Sequence, residues 1–259
     1  MSEALPPPEV LPLTDDALLG GRLRLLQPAR GHRAGHDALL LAASVPASAR
    51  HVVDLGAGVG AAGLAVAVRL PAARLHLVEL DPATAALARR NAERQQPDLS
   101  ARVAVVEADI AMLARPGGPA APGPRAADAV LMNPPFNDPA RHRISPSDRR
   151  ALAHMTPDNA LEDWVRAGER LLAPGGRLIL IHRPEALDII LATLTGRFGA
   201  VTIRPVHGRP EAPAIRVLVG AVKGRRTPPA LLPGLLLADG EGQPTPQAEA
   251  VLREGAGLA

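Results

Sequence analysis

The sequence predicts an α/β fold, a mostly parallel β-sheet with helices on both faces. Three observations carry this. Short runs rich in Val, Ile and Leu alternate with helical patterns. A glycine-rich turn directly follows the first of the sequence-predicted strands, as at a strand-to-helix junction. The last two runs have no predicted helix between them, so they read as a hairpin and an antiparallel edge.

The strand-like runs are 51–55, 74–80, 102–107, 127–132, 177–182, 200–206 and 214–222. Between the first five lie helical stretches near 60–70, 82–96 and 158–173. Asp81-Pro82, Ser145-Pro146, Thr156-Pro157 and Thr245-Pro246 each put a capping side chain before a proline at the first helical position. After Thr156, apolar or small residues recur at Leu161, Trp164, Val165, Gly168, Leu171 and Leu172, one helical face. That helix stops at Pro174-Gly175-Gly176. Residues 1–17 read as a flexible N-terminus and 115–126 as a Pro/Gly-rich loop. One domain spans 18–226, with an N-terminal segment at 18–45. A Pro-rich C-terminal extension follows at 227–259, with one helix near 246–253.

Composition narrows the chemistry. The 259 residues include no cysteine, which excludes a disulfide scaffold, a cysteine nucleophile and a thiolate metal site. Net charge is only +3, yet the pI is about 10.6. Nearly every basic residue is arginine, the one lysine being Lys223, and there is no tyrosine. A small excess of arginine therefore holds the pI high, and the pI alone is no sign of nucleic-acid binding. The start, MSEALPPPEV, lacks the basic and apolar regions of a signal peptide, and no apolar run is long enough to span a membrane. A cytoplasmic protein with no membrane partner is expected.

After the first predicted strand comes Asp54-Leu-Gly56-Ala57-Gly58-Val-Gly60. Glycines at that turn let a ligand approach the backbone, and the next helix presents free N–H groups. Glu79 stands at the end of the second strand, where a carboxylate can accept both hydroxyls of an adenosine ribose. Dinucleotides and adenosyl cofactors both suit such a loop. Asp54 before the loop and Asp109 after the third strand lean towards S-adenosylmethionine, which has an amino-acid end and an adenine amino group to receive.

The fourth strand ends in Met132-Asn133-Pro134-Pro135-Phe136. Two prolines stiffen the turn and remove two backbone donors. The Asn133 oxygen and the Pro134 carbonyl remain as acceptors, beside the aromatic face of Phe136. A planar amino group can donate both hydrogens to them while its ring stacks on Phe136. Ligands of open α/β sheets bind at such strand ends.

These ordered motifs, with Leu80 and Ile110 beside the two strand-end acids, resemble the class I S-adenosylmethionine-dependent methyltransferases. The Asn-Pro-Pro-Phe loop resembles the subset that methylates amino nitrogens. The segment from Gln27 to Leu41, including His32, His36 and Asp37, is similar to the one preceding the core in bacterial tRNA (adenine-N6)-methyltransferases, the valine-tRNA family. That resemblance spans about 20–222. It implies a Rossmann-like seven-stranded sheet whose last strand is antiparallel. It also implies S-adenosylmethionine held by Asp37, Asp54, Gly56, Ala57, Gly58, Gly60, Glu79, Leu80, Asp109, Ile110 and Asn133. Asn133, Pro134, Pro135 and Phe136 would hold the methyl acceptor.

Loop 137–150 follows directly and holds Arg141, Arg143, Arg149 and Arg150, placed to grip phosphates around an extruded base. A second basic set on the last two strands includes Arg204, Arg216 and Lys223. His32, His36 and Asp37 suggest a metal site, but no third strong ligand lies near, so none is expected. Asp37 instead contacts the cofactor or caps the helix at 38–43. His182 is a pocket or structural histidine. Two rivals stand beside RNA adenine methylation: transfer to a protein glutamine amide or to guanine N2 in rRNA, and a non-catalytic RNA-binding protein with the same fold.

Overall fold

The computed structural model describes residues 12–30, 33–115, 122–135 and 160–258. Its strands are β1 (Leu13–Leu18), β2 (Leu23–Pro28), β3 (His51–Leu55), β4 (Arg74–Glu79), β5 (Val103–Glu107), β6 (Ala127–Met132), β7 (Leu172–His182), β8 (Phe198–His207), β9 (Ala214–Lys223), β10 (Ala230–Leu231) and β11 (Leu235–Leu236). Its helices are α1 (His36–Ala43), α2 (Ala61–Arg69), α3 (Pro82–Glu93), α4 (Pro97–Ser100), α5 (Ile110–Leu113), α6 (Ala160–Leu171), α7 (Leu187–Leu194) and α8 (Pro246–Leu252).

The main sheet runs β5-β4-β3-β6-β7-β9-β8. Strands β3 to β7 pair in parallel, and β9 is antiparallel to both β7 and β8. These seven strands make the expected mostly parallel sheet, which β10 and β11 extend to nine. Side chains alternate between two cores, as the period of a doubly covered strand requires. In β6, Ala129 and Leu131 face the core under α1 and α2, while Val130 and Met132 face the core under α5, α6 and α7. In β7, Ile179 and Ile181 face the first core, and Leu178 and Leu180 the second.

Two expected caps form. Asp81 accepts from Thr84 N–H and Thr245 from Ala248 N–H. Ser145 and Thr156 lie outside the described residues. Trp164, Val165 and Leu171 of the anticipated helical face are buried. Helix α7, which sequence periodicity does not anticipate, crosses from β7 to β8 and buries Ile190 and Leu194.

Four expectations are corrected. Residues 13–17, read as part of a flexible N-terminus, form β1, which pairs antiparallel with β2. The strand β9 is not an edge, because it inserts between β7 and β8. The Pro174-Gly175-Gly176 turn lies inside β7 as an irregularity, with the register passing from Ala127↔Leu172 to Ala129↔Arg177. The described part of 227–259 is woven into the fold. Strands β10 and β11 add to β8 in parallel, and Leu258 N–H donates to the Ala43 carbonyl at 2.8 Å. Added strands remove an exposed sheet edge, which explains why a Pro-rich segment packs here.

Candidate functional site

A cavity of about 760 Å³ opens at the carboxyl ends of β3 and β6. Of the anticipated residues, Asp37, Asp54, Gly56, Ala57, Gly58 and Asn133 line it together. Six positions spread from 37 to 133 thus converge on one space. The register brings the two motifs side by side: Leu55 pairs with Met132, so Gly56 and Asn133 leave adjacent strands at one level.

The glycine loop is built for its residues. Gly56, Gly58 and Gly60 have φ of 63°, 57° and 91°, the left-handed region. A Cβ on Gly56 would lie 2.3 Å from the Trp164 ring, whereas one on Gly58 would meet nothing within 4 Å. Gly56 is therefore required by packing as well as by backbone conformation, and Gly58 leaves the loop open. The loop is tied down by Ala57 N–H to the Val78 carbonyl at 2.9 Å and by Gly58 N–H to Glu79 Oε2 at 2.8 Å. The other oxygen of Glu79 accepts from Leu80 and Asp81 N–H groups at 2.9 and 3.0 Å. Glu79 is thus a loop anchor in its own right, whatever else it binds.

Asp54 is only 3% exposed and accepts from Gly63 N–H, in the first turn of α2, at 2.8 Å. Burial pushes its carboxyl up to about 7, with the charge of Glu79 adding to the rise and the Gly63 hydrogen bond opposing it. Asn133 is half-buried, and its Oδ1 is buried with no hydrogen-bond partner among the described residues. Buried polar atoms are nearly always paired, so an acceptor left open at a cavity marks a place for a donor. Pro134 is buried and Pro135 exposed.

Asp37 does not cap its helix: Gly35 occupies that position. Its Oδ2 instead accepts from Arg216 Nε on β9 at 2.7 Å. Arg216, expected on a basic strand edge, is therefore part of the cavity wall. Gly60 caps α2 beneath the loop. Leu80 is 52% exposed at the end of β4. Asp109 caps α5, accepting from Ala111 N–H at 2.8 Å, and Ile110 begins that helix. These four and Glu79 are not among the residues that line the cavity. His182, at the end of β7, is also outside the lining, and burial holds its imidazole below the usual histidine range. His36 does line the cavity. Phe136, Arg141, Arg143, Arg149, Arg150 and His32 lie outside the described residues. Among the described residues, no three His, Asp or Glu gather as a metal site would need, and no helix is long and apolar enough to cross a membrane.

Three supports escaped sequence reasoning. Asn91, fully buried on α3, accepts from Leu26 N–H at 2.8 Å and donates to the carbonyls of Leu26 and Val59 at 2.9 and 3.0 Å. It joins the β1–β2 hairpin to the glycine loop. The signal was available: Asn91 falls at helical spacing beside the buried Ala85, Ala88 and Ala92. Gln27, also buried, donates to Asp16 and accepts from Ala34 N–H, both at 2.8 Å, fixing the wall around 33–35. Leu237 closes the far side from the C-terminal segment, its N–H on the His207 carbonyl at 2.9 Å.

The chain matches the family model of the methyltransferase small domain over residues 34–204. A tRNA1(Val) (adenine(37)-N6)-methyltransferase of Porphyromonas gingivalis is 32% identical over 189 residues, 73% of this chain and 69% of that protein. The crystal structure of a predicted O-methyltransferase, Atu636 from Agrobacterium tumefaciens, is 34% identical with a TM-score of 0.70, covering 86% of this chain and 98% of that one. The structure of Pyrococcus horikoshii TYW2 in complex with MeSAdo shares the fold alone, at 14% identity and a TM-score of 0.52 over 82% of this chain and 72% of that one.

Proposed function

The chain belongs to the methyltransferase small domain family and is a methyltransferase; from that premise we propose that it transfers a methyl group from S-adenosylmethionine to an exocyclic amino nitrogen, adenine N6 of a tRNA. The open acceptor Asn133 Oδ1 at the cavity is the observation that carries this reading. An amino group supplies the missing donor, and the neighbouring Pro134 carbonyl can accept its second hydrogen. Held by both, the nitrogen turns its lone pair away from its ring.

S-adenosylmethionine, when bound, supplies an activated methyl group on a sulfonium. The residues present fit it. Gly58 leaves the loop open to a ligand, Asp54 and Asp37 put carboxyl groups on the cavity wall, and Glu79 stands at the end of the adjacent strand. What the protein adds is position and polarity, the usual source of rate when the donor is already activated. The choice of tRNA adenine draws on the name of the Porphyromonas gingivalis relative. On the same reading, Phe136 stacks the base and Arg141, Arg143, Arg149 and Arg150 hold RNA phosphates. On this reading the protein works in the cytoplasm.

Incubation with labelled S-adenosylmethionine and total small RNA, followed by digestion, tests this directly. N6-methyladenosine is expected. Label in N2-methylguanosine or in a glutamine side chain would replace the substrate, and cofactor binding with no transfer to any RNA or protein would remove the enzyme reading.

A further inference from the structure

A second cavity, of about 630 Å³, opens at the other end of the sheet, beside the start of β6 and the end of β9. Five cations line it, Arg125, Arg166, Arg170, Arg197 and Lys223, with one carboxylate, Glu169. The charges do not balance within the protein. Arg166 and Arg197 both donate to Glu162 Oε1, at 2.6 and 3.3 Å, and Arg197 Nε lies 3.2 Å from Glu169 Oε2. Those two glutamates leave Arg125 and Arg170 with no carboxylate partner among the described residues. Arg170 Nη1 is buried with no hydrogen-bond partner among the described residues. Lys223 Nζ donates to the carbonyls of Glu169 and Leu172, at 2.5 and 2.7 Å, which are neutral acceptors. Burial holds the Lys223 amine below the usual lysine range, with Arg125 adding to the drop and Glu169 opposing it.

Cations brought this close repel one another, and a buried donor without a partner is costly. An anion in the cavity relieves both. Guanidinium forks match the oxygens of a phosphoryl group in pairs, and an ammonium beside them adds a point charge. We propose that this cavity is a phosphate-binding site, distinct from the methyl-transfer cavity and held chiefly by Arg125, Arg170 and Lys223. β6 separates the two cavities by roughly 20 Å, at about 3.3 Å per residue of strand. The phosphate can belong to an RNA backbone or to a free phosphorylated small molecule. The site stands on its own charges and does not depend on the identity of the methyl acceptor.

Lys223 is the only lysine in the chain, so its side chain is a built-in probe. The full-length protein is treated with an amine-reactive ester, and labelling of the Lys223 peptide is followed by mass spectrometry against the N-terminal amine. Inorganic pyrophosphate at ten times its Kd should slow labelling of Lys223 about tenfold, while chloride at equal ionic strength should not. Arg125→Gln and Arg170→Gln, each checked for an unchanged melting temperature, should abolish that protection and leave S-adenosylmethionine binding intact. A short single-stranded RNA forms the second arm. Protection by both ligands assigns the site to an RNA backbone, and protection by pyrophosphate alone assigns it to a small phosphorylated ligand. If neither protects Lys223, or if both arginine variants are protected like the wild type, there is no phosphate site.

Discussion

The two ends of the sheet carry opposite unfinished chemistry. At the carboxyl ends of β3 and β6, carboxylates at Asp37 and Asp54 face a cavity whose open group is an acceptor, Asn133 Oδ1. At the other end, arginines and Lys223 face a cavity whose open group is a donor, Arg170 Nη1. Arg33 and Arg216 also line the first cavity, and each has a carboxylate partner, so its charges are matched where those of the second cavity are not. A phosphate suits the unmatched end, and a ligand that brings hydrogen-bond donors suits the other. Net charge averages over both and reports neither.

The largest effect is expected at the carboxyl ends of β3 and β6. Asn133→Ala should lower single-turnover transfer by about 100- to 1000-fold, the usual loss for one preorganised polar contact, with cofactor affinity nearly unchanged. A rate within tenfold of wild type would break the comparison, because the open acceptor would then serve nothing.

Asp54 comes next. Its folded-state pKa, about 7, lies above the ordinary 3.8. The folded protein thus keeps this proton where the unfolded chain has lost it. The associated stability is fully present below about pH 4 and is lost as pH rises towards 7, on the order of 4 kcal/mol in all. Asp54→Asn keeps an oxygen for Gly63 N–H and should flatten this part of the stability–pH curve. Urea unfolding of both proteins between pH 4 and 8 checks it, and parallel curves would mean that Asp54 stays ionised.

Asn91→Ala should cost about 1–3 kcal/mol, since it strands buried partners on Leu26 and Val59. The distinctive expectation is a loss of S-adenosylmethionine affinity in calorimetry, because Val59 belongs to the glycine loop. Lower stability with unaltered affinity would confine Asn91 to packing the hairpin.

The smallest effect is expected at Arg216. Its pair with Asp37 is about one-quarter exposed on each side, and such pairs are worth about 1 kcal/mol or less. Arg216→Gln should weaken cofactor binding only a few-fold and leave pyrophosphate protection of Lys223 untouched. A change in that protection would show that the two ends are coupled.

How much of the site was legible depended on how local its signals are. The glycine loop and Asn133-Pro134 each occupy a few consecutive residues whose backbone needs select the residue type. Asp109 shows the limit of that logic. A strand-end acid reads the same whether it meets a ligand or caps the next helix, and here it caps α5. Residues 13–17 looked like loop because Thr14, Asp15 and Asp16 are polar, yet pairing with β2 suffices to make them a strand.

The sequence by itself determined the order of the seven strands of the main sheet and of the helices after the first, second and fourth of them, the turn chemistry at 54–60, and the acceptor-rich strand end at 133–134. Each follows from propensity, period or covalent geometry acting over a few residues. Only the tertiary structure decided that β9 inserts between β7 and β8, that Arg216 meets Asp37 across 179 positions, and that Asn91 clasps Leu26 across 65. It also decided that Arg125, Arg170 and Lys223 share one cavity. Hydrophobic period tells a side chain which face of the sheet to enter, but partners on that face are chosen by strand order and register. Those are set by how the whole sheet packs, which no short stretch of sequence encodes.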